Sequence, residues 1–257
     1  MTDKLTLYVL VGSVGLVIGS FLNVCIHRIP LGLSVIRPKS ACPACSQAIA
    51  WRDNIPLVSF FILGRKCRAC RQPISVQYPL VEMMNTLGFV AIVMKFGLGL
   101  ESLVYALFFS ALLTITWIDF YHQIIPDVIS LPGILIGLVC AATILPLEII
   151  DSLIGVLVGG GILWGLAALS PFLFGKEGLG GGDIKLLAMM GAFLGWQGAL
   201  LSLMIAAVLG SVVGVTLIVL KFMSRSQYIP FGPFLALGAI VALFFQTEIL
   251  TWYLGGY

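Results

Sequence analysis

The sequence predicts an all-α polytopic membrane protein of about eight transmembrane helices, with a small cytoplasmic zinc-ribbon-like module between the first two. Of its 257 residues 60% are hydrophobic and 10% are charged, whereas about a quarter of the residues in soluble domains are charged. Its mean hydropathy is +1.11. Eight segments approach the roughly 20 apolar residues that span a bilayer. The longest polar stretch carries four cysteines in two C-x-x-C pairs, which predict the module.

Short turns separate the apolar segments from the second to the eighth, and the cysteine module separates the first two. The first is long enough to span a bilayer and has no small-residue cleavage site after it, so we interpret it as a retained helix rather than a signal peptide. The sixth is short, which indicates a half-length or re-entrant helix buried in protein or lining a wet cavity. The segments cover residues 5–26, 79–97, 100–118, 127–146, 151–174, 184–196, 198–222 and 230–253.

Basic residues predict the orientation of the chain. Residues 27–78 contain more than half of its 14 Lys and Arg side chains, and loops rich in Lys and Arg face the cytoplasm. The expected domains are a first transmembrane helix (1–26), a cytoplasmic cysteine module (27–78) and a membrane core (79–257). The net charge of +3 is too small to indicate a nucleic-acid partner, so the predicted surroundings are a lipid bilayer.

The cysteine pairs are "CPAC" and "CRAC". Two C-x-x-C pairs separated by a hairpin-length segment are typical of a four-thiolate structural zinc site. Two disulfides are the alternative, which a reducing cytoplasm disfavours. The predicted zinc ligands are Cys42, Cys45, Cys67 and Cys70. Cys25 and Cys140 stand alone in apolar segments and are expected to pack as small apolar residues.

Acidic residues at membrane depth mark candidate functional sites, because ionisable groups are costly there. Asp119 ends the third segment, Asp127 follows a proline at the start of the fourth, and Asp183 follows three glycines. Glu82, just inside the second segment, is less decisive. Asp127 is well placed to cap a helix. Capping alone does not require the glycines Gly180, Gly181 and Gly182 before Asp183. We expect those glycines to allow positive φ angles and the close approach of an extended substrate peptide.

Two aspartates from different helix ends would form an aspartic-protease dyad. Like charges in close contact keep one carboxyl protonated, so that the ionised partner activates water and the protonated one polarises the scissile carbonyl. The helix dipole favours Asp183 as the ionised base, with Asp119 as the proton-bearing partner. From the pattern alone, Asp119 and Asp127 remain nearly equal candidates for the second carboxylate.

Several motifs together resemble the bacterial prepilin peptidases, the type IV leader peptidases of the GxGD aspartic-protease class. The resemblance covers nearly the whole chain. The motifs, in order, are "GSFLNVCIHRIP", the paired "CPAC" and "CRAC" with "NIPLVSFFILGRKC", "YPLVE", "WIDFYHQIIPDVISLP", "GLGGGDIKLLAMMGAFLGW" and "IPFGPFLALGA".

The resemblance places the catalytic pair at Asp119 and Asp183. It implies pilin-like precursors as substrates, each with a short basic leader and an apolar helix, cut after a glycine at the cytoplasmic face of the bacterial inner membrane. Such enzymes serve type IV pili or type II secretion. Members with the zinc module also methylate the new N-terminal amine with S-adenosylmethionine. Glu82, Asn23 and Arg28 are the candidates for that activity, and Asp127 is a candidate supporting residue.

Two rival functions remain open from the sequence. A proton- or metal-coupled transporter would use membrane aspartates as ion sites, but it predicts carboxylates near the midplane and repeated halves. Here the aspartates lie at helix ends and no such repeat is visible. A relative that has lost catalysis and serves only in binding or assembly is the other rival. The intact aspartate pair argues against it.

Overall fold

The structure, a computed structural model, describes residues 2–174, 180–222, 229–253 and 255. Most of the turn between the fifth and sixth predicted segments, and of that between the seventh and eighth, lies outside the described residues. In the described part the chain is helical, and its β-structure is limited to two isolated bridges. Eight α-helices are present there: α1 (Thr2–Arg28), α2 (Val58–Ile62), α3 (Gln77–Phe96), α4 (Leu100–His122), α5 (Asp127–Thr143), α6 (Ile149–Phe174), α7 (Gly181–Val219) and α8 (Gly232–Tyr253).

The predicted all-α membrane fold is confirmed. Over the described ranges, six helices are long and apolar enough to cross a membrane, namely α1, α3, α4, α6, α7 and α8. Helix α5 is apolar but has only 17 residues. The predicted sixth and seventh segments both lie in α7, so eight apolar segments become seven apolar helices.

The chain divides into two compact units, Met1–Thr114 and Ile115–Tyr257, with the boundary inside α4. The sequence-based division into a first helix, a cysteine module and a membrane core follows expected positions relative to the bilayer. That division stays a prediction.

In the first unit, α1 and α3 pack antiparallel through small residues. A Cβ atom at Gly15 would lie 3.0 Å from the Cα of Thr86, and one at Gly19 would lie 2.8 Å from the Cα of Glu82. Small residues at such spacings let two helix backbones approach closely. Asn85 secures the same interface by donating to the Gly15 carbonyl at 2.8 Å. The α1–α3 pair is therefore held by backbone proximity and polar bonds.

In the second unit, α7 reverses direction at Gly195. This residue has φ 73° and ψ 178°, which interrupt the helix. The first half of α7 packs on α6, where Gly191 meets Gly155, and the second half packs on α8, where Ser202 meets Gly238. A straight helix of 39 residues would be about 58 Å long.

Contacts place both ends of α7 at the same end of the second unit. A Cβ at Gly182 would lie 2.8 Å from Ile125, and a Cβ at Gly232 would lie 3.4 Å from Ile125. Gly214, late in α7, contacts Ile229, three residues before Gly232. Helix α7 is thus a helical hairpin, and its first half matches the short sixth segment.

Candidate active site and metal centre

Asp119 lies near the end of α4 and is only 4% exposed. Its Oδ2 accepts a hydrogen bond from the backbone N–H of Gly232 at 3.0 Å. Gly232 is the first residue of α8, and N–H groups at a helix start have no partner within the helix. A Cβ at Gly232 would lie 2.6 Å from the same oxygen. The glycine is therefore what allows the carboxylate to reach the start of α8.

Asp183 is the third residue of α7 and is 3% exposed. Gly180 precedes the helix and donates a backbone hydrogen bond to the Asp183 carboxylate. The reach of an acidic side chain back to the N–H before its helix satisfies a donor that the helix leaves free. Each aspartate is thus held by a backbone N–H at a helix start.

The three glycines before Asp183 have different surroundings. Gly182 packs against Ile125, whereas a Cβ at Gly181 would meet no neighbour within 4 Å in the described part of the chain. The expectation of positive φ angles is wrong, because Gly180 has φ −73° and Gly181 and Gly182 begin the helix. Within this chain, the close contact at these glycines is between Ile125 and Gly182.

The two aspartates meet at one place. Their carboxylates are near enough for the charge of Asp119 to act on Asp183. Ile125 packs against both Gly182 and Gly232, and so joins the starts of α7 and α8. Two carboxyl groups that are close enough to interact can titrate as a unit. Such a pair can act as both general base and general acid.

Asp127 has a different environment from the other two aspartates. The N-cap of α5 is Pro126 and Asp127 is the first residue of the helix, so Asp127 places an acidic group in the first turn, as expected, but is not the N-cap residue. Its carboxylate instead accepts from Lys185 Nζ at 2.7 and 2.8 Å. The Asp127 side chain is 54% exposed. It is therefore an exposed ion-pair partner in a structure that buries both Asp119 and Asp183.

The three methyltransferase candidates lie in the first unit and differ in their contacts. Glu82 is 6% exposed, and its Oε2 accepts from the backbone N–H of Leu57 at 2.7 Å. Asn23 is 5% exposed and donates to the Tyr78 carbonyl at 3.1 Å. Arg28 donates to the loop carbonyls of Ser34 and Lys39. Arg28 therefore holds a loop, while Glu82 and Asn23 carry buried acceptors.

The four predicted cysteine ligands form one cluster. The sulfur atoms of Cys42, Cys45, Cys67 and Cys70 lie within 4.8 Å of one another, and all four thiols are free. The Sγ atoms of Cys42 and Cys70 are 3.8 Å apart. A tetrahedral zinc site with bonds of about 2.3 Å places its sulfurs about 3.8 Å apart. The geometry fits a metal, and these four cysteines form no disulfide.

Two similar turns present these sulfurs. The N–H of Cys42 bonds to the Gln47 carbonyl, and that of Cys67 bonds to the Gln72 carbonyl in the same way. Backbone N–H groups of Cys70 and Ala69 pointing at the Cys67 sulfur lower the pKa of that thiol to about 7. Because metals bind the thiolate form, the fold favours metal binding at this cysteine. Cys25 and Cys140 are buried, as expected for packing residues.

Sequence reasoning missed three contacts of these sites. They are the Gly232 donor, the Ile125 packing residue and the Leu57 donor to Glu82. The sequence did contain a signal for Gly232. In "PFGPF", at the start of a helix, this glycine stands between a phenylalanine and a proline. Leu57 has no comparable signal, since its φ of 59° is uncommon for a residue with a side chain.

Comparison with known proteins places this geometry in a family. Residues 13–96 match the profile described as "Bacterial Peptidase A24 N-terminal domain", and residues 106–215 match "Type IV leader peptidase family". The two matches cover both the cysteine module and the aspartate site. No solved structure matches the chain.

Curated relatives match over most of their length. The prepilin leader peptidase/N-methyltransferase of Aeromonas hydrophila is 38% identical, over 93% of this chain and 91% of that protein. The protein of the same name from Pseudomonas aeruginosa is also 38% identical with the same coverage. The one from Myxococcus xanthus is 41% identical over 79% of this chain and 61% of its own length. These names give no support to a transporter, and the chain belongs to the type IV leader peptidase family.

Proposed function

We propose that this protein removes the short basic leader from type IV pilin-like precursors and then methylates the new N-terminal amine. The observation that carries the peptidase proposal is the pair of buried carboxylates, Asp119 and Asp183, each held by a helix-start N–H. The names of the relatives support both activities and the class of substrate.

The proposed hydrolysis uses one ionised and one protonated aspartate. The ionised carboxylate takes a proton from water, and the water oxygen attacks the scissile carbonyl carbon. The protonated carboxyl group donates its proton to the carbonyl oxygen, which would otherwise carry a negative charge. When the tetrahedral centre collapses, the C–N bond breaks and the leaving nitrogen takes a proton from the dyad.

The proposed location is the bacterial inner membrane, with the aspartates and the cysteine module on the cytoplasmic side. The support is the basic segment 27–78 together with the positive-inside rule. A precursor whose basic leader lies in the cytoplasm presents its cleavage site where the leader meets the membrane. The apolar helix of the precursor then stays in the bilayer.

The proposed metal is one structural Zn²⁺ held by Cys42, Cys45, Cys67 and Cys70. Four thiolates complete a tetrahedron and leave no position for water or substrate. The metal would therefore hold together a loop that is too short to form a hydrophobic core. S-adenosylmethionine is the proposed methyl donor, and it would supply a methyl group on a sulfonium sulfur. The buried acceptors of Glu82 and Asn23 fit the ammonium group of this donor.

The test is to incubate the purified protein in lipid nanodiscs with a type IV pilin precursor, with and without S-adenosylmethionine. Mass spectrometry of the product should show loss of the leader in both cases and an added methyl group only with the donor. An intact precursor under several lipid compositions would refute the peptidase proposal. A product that only ever loses the leader would refute the methyltransferase part.

A further inference from the structure

The crossing of α1 and α3 contains two buried acceptors. Gly19 lets the α3 backbone approach, and Glu82 lies directly against it. One turn further along α1, the Nδ2 of Asn23 bonds to the Tyr78 carbonyl, which is one turn before Glu82 on α3. Residues one turn apart on the same face have Cβ atoms about 5–6 Å apart. Glu82 and Asn23 therefore lie on facing helices, about one helical turn apart along the same crossing.

Glu82 is a buried carboxylate that receives only neutral donors. The Leu57 N–H and the Ser20 hydroxyl bond to it. No ion pair to Glu82 is present among residues 2–174, 180–222, 229–253 and 255. A carboxylate has about four acceptor positions, and an ionised group at membrane depth is costly without a cation. The site has acceptor positions that the described chain does not use, and a bound cation would supply the positive charge that an ionised Glu82 needs.

Asn23 provides a second unused acceptor. Its Nδ2 donates to the Gly19 and Tyr78 carbonyls, which fixes the orientation of the amide. Its Oδ1 is buried and has no hydrogen-bond partner within the described residues. Leaving a buried polar atom without a partner is destabilising, so a native protein seldom keeps one without a use. In the same interface, Asn85 has both ends of its amide bonded.

We infer that Glu82 and Asn23 form a binding site for a primary ammonium group. A carboxylate and an amide oxygen are both acceptors, and an ammonium group offers three donors and one positive charge. A neutral hydroxyl would leave the Glu82 charge unpaired, and an anion would be repelled. Leu57, whose N–H donates to this carboxylate, has φ 59° and ψ −51°.

Two ligands of the proposed methyl transfer carry such a group. One is the N-terminal amine that leader removal exposes, and the other is the amino-acid part of S-adenosylmethionine. The ammonium site itself rests only on the contacts above, whereas its role in methyl transfer rests on the proposed function. Binding measurements can therefore test the site even if the precursor is not cleaved.

The experiment measures binding to the full-length protein in nanodiscs. One arm compares a peptide with the mature N-terminus of a type IV pilin, free or N-acetylated. The other compares S-adenosylmethionine with its desamino analogue. We expect the amine to improve affinity at least about tenfold in one arm, and that arm identifies the ligand. If neither pair shows a preference for the amine, the inference is wrong.

Two variants and one control test the residues. Glu82→Gln keeps an acceptor for Leu57 but removes the charge, and Asn23→Ala removes the orphan oxygen. Both should abolish the preference for the amine and lower the ratio of methylated to cleaved product. Asn85→Ala removes a satisfied amide from the same interface and should keep the preference. An undiminished preference in Glu82→Gln, or an equal loss in Asn85→Ala, would overturn the assignment to Glu82 and Asn23.

Discussion

The cysteine cluster and the aspartate site differ in how far along the chain their parts come from. The cluster takes its four sulfurs from residues 42–70, in two turns with the same backbone hydrogen bonds. The aspartate site takes its parts from the ends of three helices, between residues 119 and 232. The cysteine cluster is held by local turns and by the proposed metal. The aspartate site depends on close helix packing, so we expect it to be far more sensitive to small changes in shape.

The largest effect should come from the aspartates themselves. Asp119→Asn and Asp183→Asn each keep the shape of the side chain but remove its ability to exchange a proton. Precursor cleavage should fall by at least about 10²-fold, the usual lower range for loss of a general acid or base. A gel assay with labelled precursor checks this. Asp127→Ala is the control, because the Asp127 side chain is exposed and cleavage should be retained. If Asp127→Ala lost cleavage while Asp119→Asn kept it, Asp127 and not Asp119 would be the second catalytic aspartate.

A smaller but more diagnostic effect should follow Gly232→Ala. The added Cβ would lie 2.6 Å from Asp119 Oδ2, so the carboxylate must move. A displacement of about 1 Å at a catalytic group can cost about 10²-fold in rate. We expect kcat to fall by about that factor while KM for the precursor changes little. Alanine favours helices more than glycine does, so a weaker α8 would not explain the loss.

Gly214→Ala is the matched control, because its Cβ would have a nearest neighbour at an ordinary 3.6 Å. Replacing residue 232 by glycolic acid, which turns the amide into an ester, removes the N–H without adding a Cβ. A loss of activity in the ester variant isolates the hydrogen bond from the steric effect. Normal activity in Gly232→Ala would show that Asp119 does not need the start of α8.

The same contrast explains what the sequence could predict. The C-x-x-C spacing encodes the cysteine cluster locally, so the spacing alone identifies the four residues that cluster. Runs of apolar residues likewise predict the helices, including a short segment that forms half of α7. The bond between Gly232 and Asp119 spans 113 positions of the chain. It depends on how α4 and α8 pack, which no local pattern specifies.

Asp127 shows why a plausible local interpretation can fail. An aspartate beside a proline at a helix start usually caps that helix, and only the folded chain brings Lys185 within 2.7 Å. The glycines before Asp183 show the same limit. Their sequence suggests an unusual backbone, but the helix starts normally, and Gly182 is the glycine that packs against Ile125.

Removal of the metal should destabilise the cysteine module. Cys67→Ser removes one of four ligands, and zinc content measured by elemental analysis should fall from one ion per chain towards zero. Limited proteolysis should then cut within residues 42–70 faster than in the unaltered protein, because metal binding supplies folding energy to such modules. Cys140→Ala is the control and should keep its zinc. A full zinc content in Cys67→Ser would contradict the four-thiolate site.

The smallest effect should come from the ion pair between Asp127 and Lys185. The two side chains are 54% and 38% exposed, and exposed ion pairs contribute about 0.2–1 kcal/mol. A double-mutant cycle with Asp127→Ala and Lys185→Met, followed by thermal unfolding, should give a coupling energy in that range that falls with added salt. The pair connects the start of α5 to the α7 helix that carries Asp183. Cleavage should stay constant in both variants, because α7 is also held by its glycine contacts. A fall in cleavage in both variants would show instead that the pair positions Asp183.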